Sequence, residues 1–266
     1  MNKVITQQQI KYIRSLHQKK YRDKHRCFIA EGQKIINEAI VHEDYSIEML
    51  VFTSRIRKDI EMNQVDDSVM ILEVSSRDFT RLSTQKTPQE VLAVLRMPEQ
   101  KDLQVEPDDK LIFAFDRIQD PGNMGTMLRL ADWFGVKNIL CSEDSVDVYN
   151  PKVIQSSMGA FLRLTLHYGN LQNVLKKLKE KKSFTLLAAS LEGVNLYQNK
   201  YSGRNILILG NESSGISESL LSLADQQISI PNFSTRNEKT ESLNVALAAA
   251  IICSEIRRVD NLPYSK

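Results

Sequence analysis

Three short polar clusters in the second half of the sequence carry side chains that could hold and activate a reacting group. They occupy residues 116–129, 209–215, and 230–231 together with 241–244. Asn123 offers an amide, Arg129 a guanidinium and Glu212 a carboxylate, while the glycines around Glu212 let backbone amides approach a ligand. Any one cluster alone could be a turn, a helix cap or a surface ion pair. Three clusters at strand ends predict a binding site.

The motifs of several common nucleotide and hydrolase sites are absent from the sequence. It contains no Gly-x-Gly-x-x-Gly and no Gly-x-x-x-x-Gly-Lys-Ser/Thr, which argues against a dinucleotide enzyme and a phosphate-cradling NTPase. Ser213 and Ser214 lie between Gly210 and Gly215, but the spacing is not that of a nucleophile elbow.

The elements expected to position the clusters alternate between short apolar runs and helical patterns. We predict β-strands at 111–115, 139–141, 164–167, 184–189, 206–209 and 227–230. The uninterrupted apolar run at 111–115 is typical of a parallel strand covered on both faces. We therefore predict a mostly parallel sheet flanked by helices, with the clusters at the carboxyl ends of its strands, where open α/β sheets bind ligands.

Helix boundaries affect where the cluster residues lie. A helix is predicted at about 124–134, with Asn123 in the preceding loop. Arg129 is six residues beyond Asn123, or about 240° around a helix axis, so the two share a face only if Asn123 is outside the helix. A closing helix is predicted at 242–257, capped by Ser242 or its neighbour.

A second, smaller α/β domain is predicted before residue 98. Strands are expected at 27–30, 49–53, 69–74 and 91–95, and helices at 33–41, 54–62 and 77–82. Residues 98–110 are polar, contain two prolines and lack either periodicity, which predicts a linker. The domains would then be 1–97 and 111–266.

Charge is distributed unevenly although the net charge is only +2. Residues 1–26 hold eight Lys or Arg and one Asp, whereas the remainder holds 27 basic and 32 acidic residues. Thr6 can cap a helix through this basic arm. Either the arm binds nucleic acid through its cations, or it is a solvated helix face. The candidate RNA-binding residues are Lys11, Arg14, Lys19, Lys20, Arg22, Lys24 and Arg26.

Cysteine and histidine usage predicts neither disulfides nor a metal site. Cys27, Cys141 and Cys253 are far apart and odd in number, so reduced core thiols are expected. The four histidines have no metal-ligand spacing. No apolar stretch is long enough to span a membrane or act as a signal core, which predicts a cytoplasmic protein.

The order and spacing of the three clusters resemble the motifs of the SpoU (TrmH-type) branch of the SPOUT RNA methyltransferases. The matching segments are Asp-Pro-Gly-Asn-Met-Gly-Thr-Met-Leu-Arg-Leu-Ala at 120–131, Leu-Gly-Asn-Glu-Ser-Ser-Gly at 209–215, and Ile-Pro with Glu-Ser-Leu-Asn-Val at 241–245. The N-terminal segment Phe-Ile-Ala-Glu-Gly-Gln-Lys at 28–34 resembles the substrate-binding domain, similar to ribosomal protein L30e, that many members carry.

This resemblance implies a C-terminal trefoil knot, S-adenosylmethionine as cofactor, a homodimer, and 2′-O-methylation of a ribose in RNA, with ribosomal RNA preferred over transfer RNA. The implied catalytic residues are Arg129, Asn123, Glu212, Ser242 and Asn244. The implied cofactor-binding residues are Ala188, Leu209, Gly210, Asn211, Ile230 and Leu243. The proton acceptor is left open among Glu212, Asn123 and an RNA phosphate, and the apolar residues 245–252 could form either a dimer interface or a domain core.

One segment departs from the family pattern. Residues 232–240 form a longer stretch than is usual in the family, in a loop expected to edge the cofactor pocket. An RNA-binding protein that kept the fold and lost turnover is therefore the alternative function. A third hypothesis is that the chain is an enzyme acting on a small molecule, but this hypothesis gives the basic arm no role.

Overall fold

The computed structural model of the chain describes residues 5–99, 103, 109–181, 184–234 and 241–259. The chain forms two compact units. One comprises residues 1–100 and Asp147–Leu162, and the other comprises Lys101–Val146 and Arg163–Lys266. This division differs from the predicted one, because 147–162 belongs with the N-terminal unit although it lies between two strands of the C-terminal unit in sequence.

The first unit is built on a mixed sheet with helices packed against it. Its strands are β1 (Cys27–Glu31), β2 (Ile47–Phe52), β3 (Met70–Glu73) and β4 (Val91–Arg96), in the order β1-β4-β2-β3. Its helices are α1 (Gln7–Ser15), α2 (Lys19–His25), α3 (Gln33–Ile40), α4 (Ser76–Leu82) and α6 (Pro151–Ser157). The predicted helix at 54–62 is wrong. The structure has 3₁₀ turns there, at Arg57–Asp59 and Met62–Gln64.

The basic arm is an integral part of this unit. Thr6 caps α1 in a capping box with Gln9, as the sequence indicated. Ile10, Ile13 and Leu16 are buried in the hydrophobic core of the sheet. The exposed basic side chains of α1 therefore project from a helix that is fixed by apolar packing, not from a detached extension.

Segment 147–162 is held to the first unit by aromatic and ionic contacts. The ring of Phe28 in β1 packs against Tyr149 and Phe161, with ring centroids 4.6 and 5.8 Å apart. Arg22 in α2 donates to Asp147 Oδ2 from Nε at 3.1 Å and from Nη2 at 2.7 Å. Because these contacts join residues more than 100 positions apart, no local sequence pattern predicts them.

The second unit is a parallel sheet with the order β10-β8-β9-β5-β6-β7. Its strands are β5 (Leu111–Asp116), β6 (Asn138–Ser142), β7 (Thr165–Gly169), β8 (Thr185–Asn195), β9 (Asn205–Gly210) and β10 (Gln226–Ser229). Its helices are α5 (Pro121–Trp133), α7 (Leu171–Glu180), α8 (Glu218–Leu221) and α9 (Val245–Val259). The predicted parallel α/β architecture is confirmed.

Helices α5 and α9 pack together and run in the same direction. Asn244, just before α9, contacts Asn123 in the first turn of α5. At the other end, Arg257 in α9 donates from Nε to the Phe134 carbonyl at the end of α5, at 3.0 Å. Two segments that are far apart in sequence are thus aligned from their first turns to their last.

The three cysteines are buried and unpaired, as predicted. Burial raises the pKa of the Cys27, Cys141 and Cys253 thiols, which keeps them protonated and unreactive. Within the described ranges no group of three or more His, Cys, Asp or Glu could hold a metal ion. No helix of the described residues is long and apolar enough to cross a membrane.

Candidate functional site

The carboxyl edge of the parallel sheet gathers the three polar clusters. Strands β5 and β9 are neighbours in register, with Asp116 opposite Gly210 at their ends. Strand β8 lies on the other side of β9, and β10 lies beyond β8. Because all these strands are parallel, the segments that follow them leave the sheet at the same edge.

A hydrogen-bonded triad joins one residue from each cluster. Asn123 donates from Nδ2 to Glu212 Oε1 at 2.5 Å. Asn244 donates from Nδ2 to Asn123 Oδ1 at 2.9 Å. The structure therefore brings together three of the five predicted catalytic residues, Asn123, Glu212 and Asn244.

Asn123 lies in the first turn of α5, so its predicted loop position is wrong. Asp120 caps the helix by accepting the Asn123 backbone N–H at 2.7 Å, and Pro121 occupies the first helical position. Pro and Asp in this arrangement favour an early helix start because the proline needs no donor there. The start fixes the Asn123 side chain beside the turn after β9.

Arg129 is exposed on α5, six residues or about 1.7 turns beyond Asn123. With Asn123 inside the helix, the two side chains are about 240° apart around the axis and do not share a face. No described residue forms a hydrogen bond or ion pair with the Arg129 guanidinium. The predicted central residue of the site is thus outside the triad, with all its donors available to a ligand.

Ser242 is exposed and precedes α9 without capping it. The cap is Asn244, whose Oδ1 accepts the Ala246 N–H at 2.9 Å. The expectation that Ser242 or its neighbour caps the helix is therefore wrong. Because Oδ1 of Asn244 holds the helix start, its Nδ2 is aimed at Asn123.

The turn after β9 is a tight, internally bonded structure. Asn211 and Gly215 exchange backbone hydrogen bonds at 3.1 and 2.9 Å. Asn211 Oδ1 accepts the N–H groups of Ser213 and Ser214, and its Nδ2 donates to the Arg117 carbonyl at 2.9 Å. Asn211, predicted to bind cofactor, therefore has its side chain committed to shaping this turn.

Gly210 is required by close backbone packing. A Cβ at this position would collide with backbone atoms of Gly215 and Ile216. The absence of a side chain lets the turn fold back over the end of β9, which places Glu212 beside Asn123.

Asp116 is a positioning residue that the motifs did not predict. Its side chain is buried, and Oδ2 accepts the Ser217 N–H at 2.7 Å. This bond ties the end of the Glu212 turn to the end of β5. The sequence indicates this role only through an acidic residue directly after the apolar run at 111–115.

The other predicted cofactor-binding residues lie along the same edge. Ala188 and Leu209 are buried strand residues, so only their backbone groups can meet a ligand. Ile230 is half-buried directly after β10, and Leu243 is exposed just before α9. Residues 235–240 of the longer loop lie outside the described residues.

The candidate RNA-binding cations divide into exposed and buried groups. Arg22 is only 2% exposed, and besides Asp147 it donates to the carbonyls of Leu16 and His17 at 3.1 and 2.9 Å. Its assignment to RNA is therefore wrong, because the guanidinium is used inside the fold. The exposed members are Lys11, Arg14, Lys19, Lys20, Lys24 and Arg26.

Comparison with known families and proteins gives consistent matches. The model of the SpoU rRNA Methylase family matches residues 110–254, and that of the MRM3-like substrate binding domain matches residues 7–93. A 23S rRNA (guanosine(2553)-2′-O)-methyltransferase of Bacillus subtilis is 31% identical, over 94% of this chain and 96% of its own length.

Solved structures are similar over nearly the whole chain. A TrmH-family protein from Porphyromonas gingivalis superimposes with a TM-score of 0.84 at 36% identity, covering 96% of this chain and 98% of that one. An AdoMet-bound rRNA methyltransferase from Sinorhizobium meliloti gives a TM-score of 0.85 at 27% identity, covering 98% and 99%.

Proposed function

The chain belongs to the SpoU rRNA methylase family, and from this premise we propose that it transfers a methyl group from S-adenosylmethionine to a ribose 2′-hydroxyl of ribosomal RNA. The observation that carries the proposal is the Asn123–Glu212–Asn244 triad. It unites all three polar clusters at the edge of the sheet where α/β proteins bind ligands.

The residues at this edge fit S-adenosylmethionine. Strands β9 and β10 end there, and β8 leaves its pairing with β9 at Ala188, so backbone carbonyls after Ala188, Leu209 and Ile230 can face a cationic ligand. Leu243 offers an exposed apolar side chain. The cofactor supplies a methyl group on a positively charged sulfonium. The trefoil knot is part of this proposal, supported by the position of β10 beside β8.

Glu212 is the best-placed proton acceptor among the candidates. Both polar atoms of the Asn123 amide are engaged, Nδ2 with Glu212 and Oδ1 with Asn244. Asn123 therefore holds the Glu212 carboxylate in position, and its amide oxygen already accepts a hydrogen bond from Asn244. Glu212 is exposed and has a second carboxylate oxygen to accept the 2′-hydroxyl proton.

Arg129 is suited to binding anions rather than taking up a proton. A guanidinium remains protonated at any physiological pH. Its exposed donors can hold a phosphate next to the target ribose and stabilise the developing alkoxide. Roles are thus divided: Arg129 holds and polarises the RNA, and Glu212 removes the proton.

A homodimer is the assembly we propose. Exposed apolar side chains occur on both of the packed helices α5 and α9, where Trp133 is 84% and Leu247 is 59% exposed. Burying these side chains against a second copy of the chain would remove apolar surface from water. Arg129 is exposed on the same helix as Trp133, so a partner covering α5 would come close to the proposed site.

The deciding experiment is methyl transfer to RNA. The purified chain is incubated with tritiated S-adenosylmethionine and total RNA from cells lacking its gene, so that the target is unmodified. Ribosomal and transfer RNA are then separated, and the modified nucleotide is located by its resistance to alkaline hydrolysis. Label in transfer RNA alone would overturn the ribosomal preference. RNA binding without any label would favour the catalytically inactive alternative.

A further inference from the structure

A polar cavity of about 550 Å³ lies within the first unit, apart from the methyl-transfer site. It is formed by the end of β1, the loop between α4 and β4, the first turns of α6, and the turn between α1 and α2. Its volume is in the range of small-ligand sites, which span roughly 300–1,000 Å³.

The cavity has an apolar floor and polar walls. Ile29 and Ile154 line it and are 3% and 1% exposed. The walls include the amide side chains of Gln85, Gln89 and Gln155. An apolar surface bordered by amide donors and acceptors suits a ring that carries both kinds of group.

One wall is fixed in place by Glu31. Its carboxylate accepts the Ser83 hydroxyl at 2.7 Å and the Gln89 N–H at 2.9 Å, so the loop before β4 is tied to the end of β1. Burial raises the pKa of the Glu31 carboxyl. A fixed wall is what a site needs to select a ligand by shape.

The outer parts of the cavity are basic. Lys86 and Lys152 both line it and are exposed. Cations around a pocket with polar walls favour a ligand that has a flat ring and a phosphate.

We propose that this cavity binds one unpaired nucleotide of the RNA substrate, with the base over Ile29 and Ile154 and the phosphate near Lys86 and Lys152. The proposal rests on the proposed function, since it takes the ligand to be RNA. RNA-binding proteins read single-stranded bases by taking them out of the stack, whereas a duplex keeps its bases paired. The cavity would therefore select an unpaired position of the substrate RNA.

The test compares RNA binding by two pairs of matched variants of the full chain. Gln155→Trp narrows the cavity without altering charge, and Gln64→Trp makes the same change at an exposed position away from it. Lys86→Ala removes a cation at the cavity, and Lys58→Ala removes an exposed one elsewhere. The probe is a fluorescent RNA of about 12 nucleotides, used single-stranded or annealed to its complement, with binding measured by anisotropy.

Gln155→Trp is expected to weaken single-strand binding at least about fivefold, or roughly 1 kcal/mol, because the base no longer fits between the walls, while duplex binding and the Gln64→Trp variant stay at the wild-type level. Lys86→Ala should lower the slope of log affinity against log salt by about 0.7, and Lys58→Ala should leave it unchanged. Wild-type single-strand affinity in a folded Gln155→Trp protein would overturn the proposal. If that variant does not fold, the proposal is overturned by a Lys86→Ala variant whose slope of log affinity against log salt equals that of the wild type.

Two further measurements distinguish this proposal from a free-nucleotide site and from the proposed enzymatic function. Nucleoside monophosphates that bind as tightly as the RNA probe would make the cavity a free-nucleotide site and overturn it. Methyl transfer measured in parallel distinguishes the two proposals. Methylation with an unchanged RNA KM in Gln155→Trp contradicts only the cavity, whereas cavity-dependent RNA binding without methylation contradicts only the enzymatic function.

Discussion

Asn244 donates a hydrogen bond to Asn123 at 2.9 Å across 121 residues of chain. The same Asn123 amide donates to Glu212 on a third segment. One side chain therefore couples two others, and its two polar atoms are both used. This makes Asn123 the residue on which the positions of the proposed base and of the start of α9 jointly depend.

The triad predicts that Asn123 and Asn244 act together in methyl transfer. Asn123→Ala and Asn244→Ala should each lower kcat/KM, and the double variant should lose less than the sum of the two. Residues in one hydrogen-bond network show coupling energies of about 0.5–3 kcal/mol. Steady-state kinetics on an RNA substrate measure the cycle, with Asn63→Ala, at an exposed position in the first unit, as control. Additive effects would show that the triad is not a functional unit.

Arg129 is expected to be needed for transfer but not for cofactor binding. Its guanidinium has no protein partner among the described residues, so Arg129→Ala should leave the fold and the affinity for S-adenosylmethionine nearly unchanged. The rate should fall about 10²-fold or more, the effect of losing one transition-state donor. Arg129→Lys should be intermediate, because a lysine keeps the charge without the bidentate geometry.

Single-turnover methyl transfer and calorimetric titration with cofactor separate these effects. Lys176→Ala, which removes an exposed cation from α7, serves as control. Near-normal turnover in Arg129→Ala would remove this residue from the mechanism.

Gly210→Ala should disrupt the turn that carries Glu212. The added Cβ would meet the backbone at Gly215 and Ile216, which cannot yield as a flexible side chain can. We expect weaker cofactor binding and a lower melting temperature. Gly169→Ala is the matched control, because nothing lies within 4 Å of a Cβ at that position. Equal cofactor affinity and stability in the two variants would contradict the close-packing argument.

The Arg22–Asp147 pair should contribute strongly to the stability of the first unit. Arg22→Ala leaves Asp147, 15% exposed in its side chain, without its charged partner. Breaking such a pair from one side costs about 3–5 kcal/mol, whereas Lys24→Ala at an exposed position should change the free energy of unfolding by less than about 0.5 kcal/mol. Urea unfolding of the full chain measures both. A small effect of Arg22→Ala would mean that the guanidinium is not an anchor.

Much of the site followed from sequence because parallel strands end at one edge. Three clusters directly after predicted strands had to converge, and the residues at 123, 212 and 244 do so. The position of Arg129 did not follow, since it depends on where α5 begins. Asp120 and Pro121 already carried the signal for that early start, as a capping residue and a first-turn proline.

Long-range partners explain the other differences. In sequence, Arg22 resembles the exposed cations of the arm, because it is an arginine among other basic residues. Only its contact with Asp147, 125 residues away, reveals its structural role. The same contact explains why segment 147–162 joins the first unit. Residues 54–62 do not form a helix for a local reason. Ile56 and Ile60 alone give too narrow an apolar face to pack a helix against the core.

Exposed apolar residues on α5 and α9 predict where two copies of the chain would meet. Trp133 and Leu247 project from helices that pack together, and burying them against a partner would remove apolar surface from water. Trp133→Glu combined with Leu247→Glu should therefore convert a dimer to a monomer in sedimentation velocity. Val41→Glu, at an exposed apolar position in the first unit, should leave the assembly unchanged. A double variant that remains dimeric would place the interface elsewhere, and a monomeric wild type would contradict the homodimer itself.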